Sequence, residues 1–127
     1  MFAHQYGLAA AACVAVALGA APALAQKSQN WEWCENKNNA FSADLGINGC
    51  TAVIQSGRES KRNLAIAFSN RCSLLNDKKE YDRALADCNQ AIQIDPKFAR
   101  SYLNRGIAYR GKGDNDRAIE ELSLIHI

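Results

Sequence analysis

The chain repeats itself with a period of 34 residues. Sliding it by that length lays Phe68-Ser-Asn-Arg71 on Tyr102-Leu-Asn-Arg105, and Tyr81-Asp-Arg-Ala-Leu85 on Asn115-Asp-Arg-Ala-Ile119. A repeat of this size is one supersecondary unit that cannot bury its own apolar face, so neighbours must stack to build a continuous core. Within one period, Ala65, Phe68, Cys72 and Leu75 recur at steps of three and four and so share one stripe of a helix. Beyond the polar segment Asp77 to Asp82, a second stripe follows in Ala84, Leu85, Cys88, Ala91, Ile92 and Ile94. The pattern predicts two antiparallel helices joined by a turn. Asp95-Pro96 closes the unit, because proline lacks a backbone N–H and disfavours helical geometry in the residue before it; Pro96 is placed to start the next helix. The second unit restarts with Tyr102, Gly106 and Tyr109, turns at Gly111-Lys-Gly-Asp114, and continues through Ala118 and Leu122 with Asp114 as its N-cap. The expected fold class is all-α: a solenoid of stacked antiparallel helix-turn-helix hairpins. Such a stack leaves a concave face free, and its usual work is to hold another chain.

These units resemble tetratricopeptide repeats. The resemblance rests on Phe68, Cys72, Leu75, Ala84, Cys88, Ala91 and Pro96 in one unit (65–98) and on Tyr102, Gly106, Tyr109, Ala118 and Leu122 in an incomplete second (99–121). The sequence departs from the family pattern at Cys72, Cys88 and Asn115. The resemblance implies a scaffold for a protein or peptide partner, with a concave face lined by the first helices. Carried over by position, that face comprises Ile66, Ser69, Asn70, Ser73 and Asn76, then Arg100, Leu103, Asn104, Ile107 and Arg110. Asn70 and Asn104 would each offer a ligand backbone an amide donor and acceptor, and Arg100 and Arg110 would hold a carboxylate. Where some relatives use lysine to grip a terminal carboxylate, this chain has Ile66. Sliding back one more period sets Cys50 on Ala84, Ile54 on Cys88 and Gly57 on Ala91. Asp44 to Gly57 is therefore expected to be the second helix of a degenerate capping repeat, 44–64.

Both ends fall outside the repeats. Gly7 to Ala25 carries no charge and ends in Ala23-Leu-Ala25, so residues 1–25 are expected to be a secretory signal cleaved before Gln26. An uncleaved membrane anchor and a lipid-modified Cys13 are the other readings of the same run. With cleavage, no membrane insertion is expected, and the compartment is the periplasm of a Gram-negative bacterium or the exterior. Residues 26–43 are polar and read as a lead-in or linker, with Trp31 and Trp33 tucked against the first helices. The tail 122–127, Leu-Ser-Leu-Ile-His-Ile, resembles one reading frame of a sequencing adapter. The native chain is therefore expected to continue beyond Glu121, although Leu122 also suits an ordinary continuation of its helix.

Composition then excludes several function classes. The formal net charge is +2, with acids and bases interspersed, so no pull towards nucleic acid is expected. The only histidines, His4 and His126, lie in the two ends, which leaves no histidine base or Cys-His zinc site in the repeats. Glu120-Glu121 and Asp114-Asp116 read as caps and a solvated face, and Gly111-Lys-Gly113 as a turn instead of a phosphate loop. No catalytic residue, cofactor or metal is expected. Four cysteines remain after signal removal. Cys34 and Cys50 are expected to form a disulfide, whereas Cys72 and Cys88 are either a second bridge or two buried small apolar side chains. The expected function is an interaction scaffold of the bacterial cell envelope. The alternative is an accessory repeat domain of a larger envelope enzyme or assembly factor.

Overall fold

The computed structural model describes residues 21–125, and among them the only regular elements are helical. Six α-helices follow in order: α1 (Ala21–Glu35), α2 (Ala43–Gln55), α3 (Lys61–Asp77), α4 (Tyr81–Ile94), α5 (Ala99–Gly111) and α6 (Asn115–Leu124), with one 3-10 turn at Lys37–Asn39. They pair as three hairpins, α1 with α2, α3 with α4 and α5 with α6. The hairpins stack through α2 on α3, α4 on α5 and α3 on α5. The all-α repeat stack expected from the period is the observed fold.

Local chemistry accounts for the element ends. Ser42 and Ser60 accept hydrogen bonds from Leu45 and Asn63 backbone N–H groups at the starts of α2 and α3, and Asp114 does the same for Arg117 in α6. The C-termini of α3 and α5 close in the same way. Lys79 (φ 61°) and Gly113 (φ 84°) take left-handed conformations, and the next N–H reaches back to Leu75 and Tyr109 carbonyls. After Ile94 the chain turns through Asp95 to Phe98, so α5 starts at Ala99 and not at Pro96. The Asp95 carboxylate accepts from the Lys97 N–H in that turn, which fixes it one residue beyond the proline.

The core is made of small side chains. Ala65, Ala67, Cys72, Ala84, Cys88, Ala91 and Ala108 are fully buried, and Leu75 is the largest side chain below 2% exposure. Close helix approach explains this choice. A Cβ added at Gly49 would lie 2.6 Å from the Asn30 carbonyl oxygen and 2.7 Å from the Trp33 Cβ, so α1 and α2 meet backbone to backbone.

Residues 26–43 are not a linker. Gln26 to Glu35 belongs to α1, the first helix of the capping hairpin, and it lacks the apolar stripe that would mark it. The expected cleavage point, Ala25 to Gln26, falls within this helix; residues 1–20 lie outside the described residues. The tail is likewise continuous with the fold up to Leu124, while His126 and Ile127 lie outside the described residues.

The register of the capping hairpin also differs from the expected one. Cys34 and Cys50 are joined by a disulfide, as are Cys72 and Cys88, each pair 16 residues apart. Cys50 therefore corresponds to Cys88, 38 residues on, and not to Ala84. The same shift sets Gly46 on Ala84, Val53 on Ala91 and Asp44 on Asp82. The four extra residues are one turn of helix: α3 has 17 residues where α5 has 13. Val53 is buried at the position of Ala91, and Ile125, at the same position one period on, is half-buried just after α6.

Candidate functional site

The first helices of the hairpins, α1, α3 and α5, together border a polar groove of about 210 Å³. Asn70, Ser73, Arg100, Leu103 and Asn104, all expected on the concave face, line it. The fold brings them together because Asn70 and Asn104 stand one period apart on adjacent helices. The groove is closed by residues that the sequence did not reveal: Glu35, Asn36 and Asn39 from the end of α1 and its turn, with Leu74 and Asp77 from α3. Asn36 and Asn39 have φ of 41° and 55°, a backbone conformation that asparagine tolerates better than most residues. The Asn36 side chain accepts the Phe41 N–H and so fixes the turn. These residues went unseen because the segment carried no periodic signal.

The remaining face residues have other places. The Asn104 amide is not a free donor: its Nδ2 donates to the Ser69 carbonyl and hydroxyl oxygens, while the Asn104 backbone carbonyl accepts from Asn76 Nδ2. Ser69 and Asn76 are accordingly buried between α3 and α5 as part of the stack. Ile66 borders a separate cleft with Lys61, Arg62 and Phe98. Ile107 and Arg110 lie with Leu103 and Leu122 on the apolar outer side of the last hairpin. Arg100 and Arg110 thus line different surfaces and do not act on one carboxylate.

Asn70 stands apart within the groove. It is 9% exposed, and its side chain has no hydrogen-bond partner among the described residues. The fully buried side-chain atoms without a partner are Asn76 Oδ1 and Ser101 Oγ; the Asn70 amide is not among them and stays open to the groove, with donor and acceptor available to a ligand. Arg100 and Asp77 are exposed at the groove without an ion-pair partner among the described residues.

The walls behind the groove are held by two matching ion pairs. Arg71 grips Asp87 through Nε and Nη2, both at 2.7 Å, and one period later Arg105 grips Glu121 at 2.9 and 3.0 Å. Both carboxylates are buried, so Glu121 is a structural partner and not part of a solvated face. Lys78 with Asp44, and Lys112 with Asp82, repeat as exposed pairs between hairpins; the Asp44 contact raises the Lys78 pKa above its ordinary value. No group of histidine, cysteine, aspartate or glutamate among the described residues is arranged to hold a metal ion.

Fold and groove define a stack of helical hairpins with a groove along its first helices. Residues 73–113 match the family model described as TPR repeat, so this part of the chain is similar to tetratricopeptide repeats. It is 39% identical over 56 residues to the small glutamine-rich tetratricopeptide repeat-containing protein 2 of Saccharomyces cerevisiae, covering 44% of this chain and 16% of that one. To heat shock protein STI1 of the same yeast it is 32% identical over 90 residues, covering 68% of this chain and 15% of the relative. A third relative, of Arabidopsis thaliana, is the probable UDP-N-acetylglucosamine--peptide N-acetylglucosaminyltransferase SEC, 46% identical over 41 residues, 32% of this chain and 4% of the relative. The chain spans less than a fifth of the length of these relatives. A solved structure described as the second TPR of Spaghetti (RPAP3) bound to HSP90 peptide SRMEEVD superposes with a TM-score of 0.62 at 24% identity, covering 80% of this chain and 94% of the other.

Proposed function

We propose that the protein is a non-catalytic scaffold whose concave groove takes an extended segment of a partner protein. The observation that carries this reading is Asn70, nine-tenths buried at the groove and without a partner for its amide. An amide in that position satisfies an extended backbone through one donor and one acceptor. The peptide in the description of the structural neighbour supports the reading at the level of fold. Two cystines support an oxidising compartment, in keeping with the apolar run at 7–25 as an export signal and a place in the bacterial envelope.

Panning a random nonapeptide display library against the oxidised protein tests the reading. Enriched peptides are expected to bind the Asn70→Ala variant about tenfold more weakly, the equivalent of one or two hydrogen bonds at roughly 0.5–1.5 kcal/mol each, with helicity unchanged. Enriched peptides indifferent to that substitution would place binding elsewhere, and an absence of enrichment would overturn the groove as a peptide site. The match to a repeat region of a glycosyltransferase favours a second reading, in which the array serves as an accessory domain of a larger envelope enzyme or assembly factor. Catalytic groups in the adjoining part of the full gene product would favour it over the scaffold.

A further inference from the structure

The charges around the groove are not placed at random. Glu35 is the last residue of α1 and Asp77 the last of α3, so two helix C-termini, each with a carboxylate, meet at the same cavity. Helix C-termini carry partial negative charge, which adds to the carboxylates. Glu35 also belongs to a second cleft on the other side of α1, with Glu32, Trp31 and Phe41. Aromatic faces beside carboxylates form a favourable seat for an ammonium or guanidinium group. The positive groups nearby are Arg100, across the groove on α5, and Lys37, whose Nζ lies 3.0 Å from a Glu35 oxygen. Lys37 is highly exposed, its side chain 79% accessible, and such a surface pair is weak enough for a ligand cation to displace.

Resting on the peptide reading above, we propose that the bound segment carries a lysine or arginine whose side chain sits at Glu35, between the amide-lined groove and the aromatic cleft. Asn70 takes the backbone, Asp77 and Glu32 reinforce the charge from either side, and Arg100 disfavours a second basic residue towards α5. Asn70 points to a ligand independently of the acids: the residue is nine-tenths buried, lines the same cavity, and its amide has no hydrogen-bond partner among the described residues.

The test uses the oxidised protein and three fluorescent nonapeptide pools, randomised except for a central lysine, alanine or glutamate, read by anisotropy. The lysine pool is expected to bind about tenfold more tightly than the alanine pool, and the glutamate pool more weakly than either. Glu35→Gln should bring the lysine pool to the level of the alanine pool, whereas Lys37→Ala should strengthen it by removing the competing ammonium. Asn70→Ala should weaken all pools alike. Equal or tighter binding of the glutamate pool would overturn the basic-residue assignment while leaving peptide binding intact. Lysine preference that survives Glu35→Gln would overturn the assignment to Glu35. Failure of every pool to bind would remove the peptide reading and this inference with it.

Discussion

Single residues show how one side-chain type does different work according to its neighbours. Asn70 and Asn104 occupy the same place one period apart, yet Asn104 spends its amide on Ser69 because α5 packs directly on α3, while Asn70 keeps its amide for the groove. The two left-handed turn positions differ in the opposite sense: Gly113 suits its φ of 84°, but Lys79 bears a Cβ at 61°. Lys79→Gly is expected to raise stability by up to about 1 kcal/mol, since the relieved left-handed strain of ~1–2 kcal/mol exceeds the entropy that glycine loses on folding. Thermal melting reads it, and a lowered midpoint would show that the lysine side chain contributes more than its strain costs. Glu59 gives a pH-dependent case. Burial presses its carboxyl upward, but hydrogen bonds from the Trp31 indole N–H and the Asn63 amide, together with Lys27, hold it below its ordinary 4.5. A lowered acid contributes fully at neutral pH and loses its contribution as pH falls through the lowered value. Trp31 emission is therefore expected to shift on acidification below the ordinary glutamate range. Glu59→Gln should abolish that transition, and its persistence would assign it to another group.

At the scale of elements, the capping hairpin keeps the geometry of its neighbours while its sequence spacing changes. Both cystines, and the Asp44 and Asp82 pairs, align only when one added turn at the start of α3 is counted. A full turn returns the side chains close to their original directions, so the helix lengthens without rotating its buried face. The third hairpin has Gly106 and Leu122 where the second has Cys72 and Cys88. Gly106→Cys combined with Leu122→Cys is expected to form a third bridge and to stabilise by ~3 kcal/mol for a loop of this size. Non-reducing peptide mapping and the thermal midpoint check it. Two free thiols under oxidising conditions would mean that α5 and α6 do not meet as α3 and α4 do.

As a whole, the molecule has a thin core. Alanine and cysteine do most of the burial, and few large apolar side chains are enclosed. Loops closed by bridges 16 residues apart each contribute ~3 kcal/mol on the chain-entropy model, a large share of the 5–15 kcal/mol by which typical domains are stable. Reduction of both cystines is expected to cost up to about 6 kcal/mol and to abolish cooperative melting near room temperature. Retention of a sharp, high transition in reductant would show that stacking alone sustains the array.

What the sequence determined by itself was the periodic part. The 34-residue repeat, the stripes through Phe68, Cys72, Ala84 and Cys88, and the Asp114 cap are local patterns with a fixed helical step, so hairpins, turns and the type of repeat followed from them. The placement of Asn70, Ser73, Arg100, Leu103 and Asn104 on one groove followed from the same period. Only the tertiary structure decided what lies between units. Helix α1 carries no strong stripe, because Gly46 and Gly49 let it pack through backbone contact instead of large side chains. Its contribution of Glu35, Asn36 and Asn39 to the groove, the spending of Asn104 on the α3 to α5 contact, and the burial of Glu121 against Arg105 all depend on partners far apart in the chain. Periodicity fixes which face a residue occupies; which neighbour meets it there is set by how the hairpins stack.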